Sequence, residues 1–248
     1  MPSALGLVLS GIFVQTAAPP RQLECLRRWY AIDEVISAPS GWSVRLRGGA
    51  LLPFDDGQSK TAEQRLSGPD LQDMLAVPYR RGAAAPVTDK DDEPGRARVE
   101  SLFDATYGSR DQPLPLLEVR LGGGAVRVHQ RVATRLERVV SKLSELAKND
   151  PRIALAIRRP AGGHAARRIA GTNRTSAHAW GIAVDLDTRV ADYWRWSRGA
   201  IRWKNRVPQA IIDAFEDEGF IWGGRWFHYD TMHFEYRPEL LDPQCGPS

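Results

Sequence analysis

The chain has 248 residues, of which 42% are hydrophobic and 26% are charged, so it can bury a sizeable core and is not expected to be disordered. Its basic and acidic residues nearly balance, with a formal net charge of +4. Because no helix-turn-helix or RNA-binding motif accompanies this small excess, a nucleic acid partner is not expected.

Residues 1–18 are typical of a signal peptide. An apolar stretch of about eleven residues, Ala4 to Val14, is too short to span a bilayer, and the small residues at 16–18 suit a cleavage site. The stretch lacks a preceding Lys or Arg, so an N-terminal strand or helix packed on the core is the alternative. We expect an exported protein without a stable membrane span.

The two cysteines, Cys25 and Cys245, lie near opposite ends of the chain. In an oxidising compartment they could form one bridge that closes nearly the whole domain, and two unrelated buried thiols are the alternative. No C-x-x-C pair exists, so neither is expected to bind zinc.

Residues 19–114 form a loop-rich N-terminal extension in this interpretation. Their apolar clusters, at 42–46 and 51–54, are short, and residues 83–95 form a polar loop that contains proline. The extension carries no motif with an assignable role. It could wrap the C-terminal core and only complete the fold, shape a substrate groove, or bind a partner.

Residues 115–242 are predicted to form an α+β domain, in which helices flank a small antiparallel sheet. Alternation predicts a strand at 116–121, and apolar spacing predicts an amphipathic helix over 132–146. A buried strand is predicted at 153–157. A helix is predicted from Pro208 to Glu218, with Gly219 as its end.

The C-terminal third carries two motifs that can bind a metal. If residues 182–187 form a strand, its period of two places Asp185 and Asp187 on one face, and the turn at Gly181 lets His178 swing over that face. His233 and Glu235 share one face of a second strand. If the two faces adjoin, His178, Asp185 and His233 form a three-ligand site, as catalytic zinc requires.

The spacing leaves several alternatives open. Asp187 could replace Asp185 as a ligand, and either Asp230 or Glu235 could act as the general base on a water molecule. The other three histidines are interpreted as surface residues or hydrogen-bonded core residues: His129, His164 and His228.

The motifs S-x-H-x-x-G-x-A-x-D and D-x-M-H-F-E, together with residues 219–226, resemble a family of zinc peptidases. This family includes the VanY-type D-alanyl-D-alanine carboxypeptidases and the L-alanyl-D-glutamate endopeptidases, and the resemblance covers about residues 165–240. It implies Zn²⁺ on His178, Asp185 and His233. It also implies Asp230 as the general base and Glu235 as a supporting carboxylate.

The stretch from Arg168 to Ser176 resembles the region in which these enzymes place a substrate-orienting arginine. Arg168 is the first candidate and Arg174 the second, each with a surface ion pair as the alternative role. Ser176 could bind substrate or fix the turn. Trp226 is a candidate substrate contact, and three neighbouring aromatic residues could line the cleft or belong to the core: Trp180, Trp222 and Tyr229.

The resemblance implies hydrolysis of a peptide bond in a peptidoglycan stem peptide, either between two D-alanines or between L-Ala and D-Glu. Two other classes of function are considered. One is a catalytically inactive, zinc-containing module that binds cell wall or another protein. The other is a domain without zinc, in which the same side chains are ordinary polar strand positions.

Overall fold

The computed structural model describes residues 18–246, which form an α+β fold of helices and small antiparallel sheets. This confirms the predicted fold class. The helices are α1 (Arg21–Trp29), α2 (Ala62–Ser67), α3 (Leu71–Leu75), α4 (Glu100–Tyr107), α5 (Gln130–Leu146), α6 (Pro151–Ala156) and α7 (Gln209–Asp217). The strands are β1 (Ile32–Ala38), β2 (Gly41–Leu46), β3 (Leu51–Pro53), β4 (Leu116–Leu121), β5 (Gly124–His129), β6 (Ala183–Asp185), β7 (Phe220–Trp222) and β8 (His233–Tyr236).

The predicted signal peptide lies outside the described residues, apart from Ala18. Between residues 18 and 246, no helix is long and apolar enough to cross a membrane.

The N-terminal segment contains more regular structure than its sequence suggested. Strands β1, β2 and β3 form an antiparallel sheet in that order, and capping boxes at Thr61 and Asp70 start helices α2 and α3. Leu26 and Phe103 of this segment belong to the same buried apolar cluster as Phe234 of β8. The segment therefore contributes to one shared core with the C-terminal part.

Strand β4 and helix α5 agree with the sequence pattern, whereas strand β5, which pairs with β4, was not predicted. Strand β4 occupies the predicted residues, and α5 extends the predicted helix by two residues at its start. One face of α5 is buried, through Val132, Leu136, Val139 and Leu143 among others. This spacing follows the helical period that the sequence shows.

The predicted strand at 153–157 is wrong, because residues 153–156 belong to helix α6 and Ile157 follows its last turn. The side chain of Asp150 accepts a hydrogen bond from the backbone N–H of Arg152, and Pro151 occupies the first turn. An Asp followed by Pro is a strong helix-start signal. Ile153 and Ala156, three residues apart, are buried, while Leu155 between them is exposed.

The third sheet carries both motifs. Its strand order is β6–β8–β7, with β8 antiparallel to both neighbours. Asp185 pairs with His233, and Ala183 pairs with Glu235. Strand β6 ends before Asp187, whose side chain caps the following turn and pairs with Arg189. The register therefore places Asp185, and not Asp187, beside His233.

A disulfide joins Cys25 of α1 to Cys245, with Cα atoms 5.3 Å apart and a sequence separation of 220. Both cysteines are buried. The pairing that the sequence left open is therefore the single bridge across nearly the whole chain.

Replacing both cysteines by serine should lower the free energy of unfolding by about 2–5 kcal/mol, because the bridge restricts the unfolded chain over a very long loop. Denaturant unfolding of the variant and of the oxidised protein measures the difference. The reduced wild-type protein is the control and should match the variant. Equal stability of all three would contradict a stabilising role for the bridge.

Candidate metal centre

His178 lies in a 3₁₀ turn, Ala177–Trp180, directly before strand β6. Gly181 ends this turn with φ of 68°, and a Cβ atom at this position would lie 2.8 Å from the backbone nitrogen of His129. Only glycine combines this left-handed backbone with so close an approach. The turn therefore fixes His178 relative to Asp185, which ends β6.

The side chains of His178, Asp185 and His233 converge. The Nε2 atom of His178 lies 3.2 Å from the Nδ1 atom of His233 and 3.2 Å from Oδ2 of Asp185. Oδ1 of Asp185 lies 3.0 Å from Nδ1 of His233. One potential ligand atom from each residue lies within 4.8 Å of the others. These are the three residues that the resemblance implies as ligands.

Each histidine ring is oriented by a hydrogen bond on its other nitrogen. The Nδ1 atom of His178 lies 2.6 Å from the carbonyl oxygen of Gly163, which can only accept, so this nitrogen donates. The Nε2 atom of His233 lies 3.1 Å from Oε2 of Glu235 and donates to it. The nitrogens that face the centre are therefore Nε2 of His178 and Nδ1 of His233, and each ring is oriented through its other nitrogen, as in metal-binding histidines.

The charges in the cluster suit a cation. Burial would raise the pKa of Asp185, but the charges and hydrogen bonds of His178 and His233 lower it below its usual range. Burial lowers the pKa of His233, but hydrogen bonds to Asp185 and Glu235 raise it to about 10. A divalent cation would take the place of the proton that this cluster attracts. The donor set therefore fits zinc.

Glu235 is held by two arginines as well as by His233. Arg98 donates through Nε at 3.2 Å and through a second, shorter bond, and Nη1 of Arg237 lies 3.1 Å away. Burial opposes ionisation, but Arg98, His233 and Arg237 hold the pKa of Glu235 well below its usual value. Arg98 comes from the N-terminal segment, 137 residues earlier in sequence. That segment therefore supports the candidate metal centre directly.

Substitution Glu235→Gln should weaken zinc binding by about 10- to 100-fold, because the charged acceptor that orients His233 is lost. Competition with a chromophoric chelator measures the affinity. The control is Glu216→Gln, which removes an equally buried carboxylate that pairs with Arg225, away from the cluster. An equal loss of affinity in both variants would show a general effect of folding.

Asp230 is a half-buried acid, and one of its two carboxylate oxygens is buried without a hydrogen-bond partner in the described part of the chain. Its Oδ1 atom has no hydrogen-bond partner among the described residues, and burial raises its pKa to about 6. Its backbone N–H donates to the carbonyl of Gly223 at 3.0 Å, which fixes the residue. A carboxylate oxygen that is buried without a partner at a polar site makes its residue a candidate for proton transfer.

The ligand atoms and Asp230 face one cavity of about 370 Å³. Four arginines contribute to its lining: Arg96, Arg98, Arg167 and Arg195. Arg96 lies with its guanidinium 5.0 Å from the ring centre of Trp226 and pairs with Glu93 at 3.0 Å. Arg96, Arg98 and Arg167 were not predicted from the sequence. The first two lie outside both motifs, and all three belong to a chain rich in arginine, so no local signal could single them out.

The predicted substrate contacts are only partly brought to this cavity. Ser176 lines it. Arg168 is exposed and donates to the backbone carbonyl of Asn173, and Arg174 lines a separate cavity, where it donates to the carbonyl of Arg96. Trp226 is buried and packs 5.6 Å, centre to centre, from the ring of His233. The roles proposed for Arg168, Arg174 and Trp226 stay predictions.

The remaining candidates of the sequence analysis lie in the core or pair locally. Trp180, Trp222 and Tyr229 are almost fully buried. His129 is buried and caps α5, and the backbone N–H of His164 donates to the carbonyl of Arg127. His228 contacts Glu93 through Nδ1 at 2.6 Å and also lines the cavity.

Two further groups of potential ligands in the described part of the chain are already satisfied. Cys25 and Cys245, near Asp242, form the disulfide. Asp56 and Asp70 bind the ammonium of Lys60, at 2.7 and 3.1 Å.

Three protein ligands, an open side toward a cavity and an unpaired acid are typical of metal-dependent hydrolases. Residues 170–236 match a family described as D-alanyl-D-alanine carboxypeptidase. The match contains the three ligand residues and Asp230, and it supports a peptidase. No curated protein and no solved structure matches the chain.

Proposed function

We propose that this protein is a zinc-dependent peptidase that hydrolyses peptide bonds in peptidoglycan stem peptides. The convergence of His178, Asp185 and His233, with both remaining ring nitrogens engaged, carries the proposal. The family match over residues 170–236 supports the same substrate class.

His178, Asp185 and His233 would hold the ion, which when bound supplies Lewis-acid polarisation and acidifies water. Asp230 takes the proton of the water molecule that attacks the scissile carbonyl. It then returns that proton to the leaving amine. The unpaired Oδ1 atom of Asp230 and its position in the cavity support both steps.

The cationic side chains of the cavity favour a substrate with carboxylates. Arg96 and Arg167 line this cavity together with the candidate ligands. The resemblance implies Arg168 or Arg174 for orienting the substrate, but Arg168 donates to the carbonyl of Asn173 and Arg174 lines a separate cavity. Guanidinium groups bind carboxylates and stabilise a developing oxyanion by charge-assisted hydrogen bonds. A stem peptide provides both groups.

We also propose that the protein is exported, to the periplasm or the cell exterior. The apolar stretch at the N-terminus supports export. The Cys25–Cys245 disulfide supports it independently, because such bridges persist in oxidising compartments.

The test is incubation of the purified, zinc-loaded protein with defined muropeptides, with and without a chelator, and analysis of the products by mass spectrometry. Loss of a terminal alanine would identify a carboxypeptidase, and release of a stem that begins at D-Glu would identify an endopeptidase. The chelator should abolish either product. One zinc per chain without any product would favour the inactive binding module.

A further inference from the structure

A group of three aromatic residues, one exposed and two half-buried, lines the cavity of the candidate metal centre. It consists of Tyr193, Trp194 and Trp196, which we call the aromatic platform. Among the described residues, Trp196 is one of four large apolar side chains that are clearly exposed, with 56% of its surface accessible, and only Trp196 of these four lines the cavity. Exposure of so large an apolar side chain at a cavity indicates a binding surface.

The platform is built on a fixed backbone. Tyr193 forms a β-bridge with Asp230, and the backbone N–H of Trp194 donates to the carbonyl of Tyr229 at 3.0 Å. The rings of Tyr193 and Trp196 meet edge to face with centres 5.8 Å apart. The platform is therefore tied directly to the acid of the proposed peptidase site.

A guanidinium group borders these rings. The guanidinium of Arg195 lies 5.1 Å from the ring centre of Trp194 and donates to the carbonyl of Ala170 at 3.0 Å, which holds it at the cavity. A ligand that fits this surface has a flat C–H face for the tryptophans and a polar edge for the guanidinium.

The peptide part of the proposed substrate does not offer such a face. Stem peptides are built from alanine, glutamate and a diamino acid, whose side chains are small or charged. The amino sugar to which the stem is attached has a ring with an apolar C–H face and a rim of hydroxyl and amide groups. It is the part of the substrate whose chemistry matches the platform.

We propose that the aromatic platform binds the amino-sugar ring that carries the stem peptide, and that Trp196 makes the main stacking contact. This inference rests on the proposed peptidase function, and it adds recognition of the glycan to it. The enzyme should accordingly prefer a stem peptide that is still attached to sugar.

The first experiment compares two substrates, a disaccharide muropeptide and the identical stem peptide without sugars. The ratio of their kcat/KM values should favour the muropeptide in the wild type and fall by about tenfold in Trp196→Ala, because the stacking surface is lost. Leu117→Ala, which removes another exposed apolar side chain outside the cavity, is the control and should keep the wild-type ratio. An unchanged ratio in Trp196→Ala overturns the inference.

The second experiment is independent of catalysis. Binding of the peptide-free disaccharide, followed by NMR chemical shifts of the indole N–H groups, should saturate with the wild type and be lost in Trp196→Ala. Saturable binding without hydrolysis of any muropeptide would support the platform and reject the peptidase. Hydrolysis without disaccharide binding, or binding of anionic lipid vesicles in its place, would overturn the platform and leave the peptidase standing.

Discussion

Asp230→Asn should bind zinc as tightly as the wild type and lose about 100- to 10,000-fold in kcat, because the proton carrier is removed while the ligands stay in place. The amide keeps the shape of the side chain, so the backbone hydrogen bond to Gly223 and the pairing with Tyr193 are retained. Zinc content by elemental analysis and turnover of a muropeptide are the two measurements. Normal zinc content together with lost turnover is the diagnostic result, since a folding defect would lower both.

The matched control for this variant is Asp192→Asn. Asp192 lies next to Tyr193 and pairs with Arg206 at 3.1 Å, outside the cavity. It should keep most of the activity. An Asp230→Asn protein that turns over substrate at a rate close to wild type would exclude Asp230 as the general base. Glu235 would then be the remaining candidate for that role.

His178→Ala and His233→Ala should each lose both the metal and the activity. Each substitution leaves two of the three ligands, and two ligands hold zinc far more weakly than three. Bound zinc should fall from about one ion per chain to near zero after dialysis, and turnover should fall to the level of the chelator-treated wild type. Elemental analysis and muropeptide turnover measure the two effects.

His164→Ala serves as the control for these two variants, because this half-buried histidine does not belong to the cluster. It should retain zinc and activity. If His178→Ala or His233→Ala retained activity in a preparation without metal, the assignment of the ligands would be wrong.

The sequence allowed the elements with a strong local pattern to be predicted. Helix α5 follows from its apolar spacing, and the short sheet follows from alternation around His233 and Asp185. Residues 153–157 were misassigned because a short apolar run fits either element, and the decisive signal, Asp150 followed by Pro151, lies just outside it.

The ligand cluster was accessible from sequence because its three members lie in two compact motifs. The residues that support the cluster from the N-terminal segment could not be predicted from sequence. Arg98 binds Glu235 at a sequence separation of 137, and Arg96 contacts the ring of Trp226 at a similar sequence separation. Such contacts depend on how the N-terminal segment packs in the shared core, and no residue spacing within that segment encodes them. The Cys25–Cys245 pairing has the same origin.

The Cys25–Cys245 bridge also makes the described backbone nearly a closed ring. The two Cα atoms lie 5.3 Å apart, and the side chain of Gln22 donates to the carbonyl of Gly246 at 3.3 Å. A peptide linker of a few residues could therefore replace the sulfur bond, and the chain could be cut instead in the exposed loop 57–59. A circular permutant of this design should fold and bind zinc under reducing conditions. Its metal centre could then be studied inside living cells, where the disulfide would be reduced.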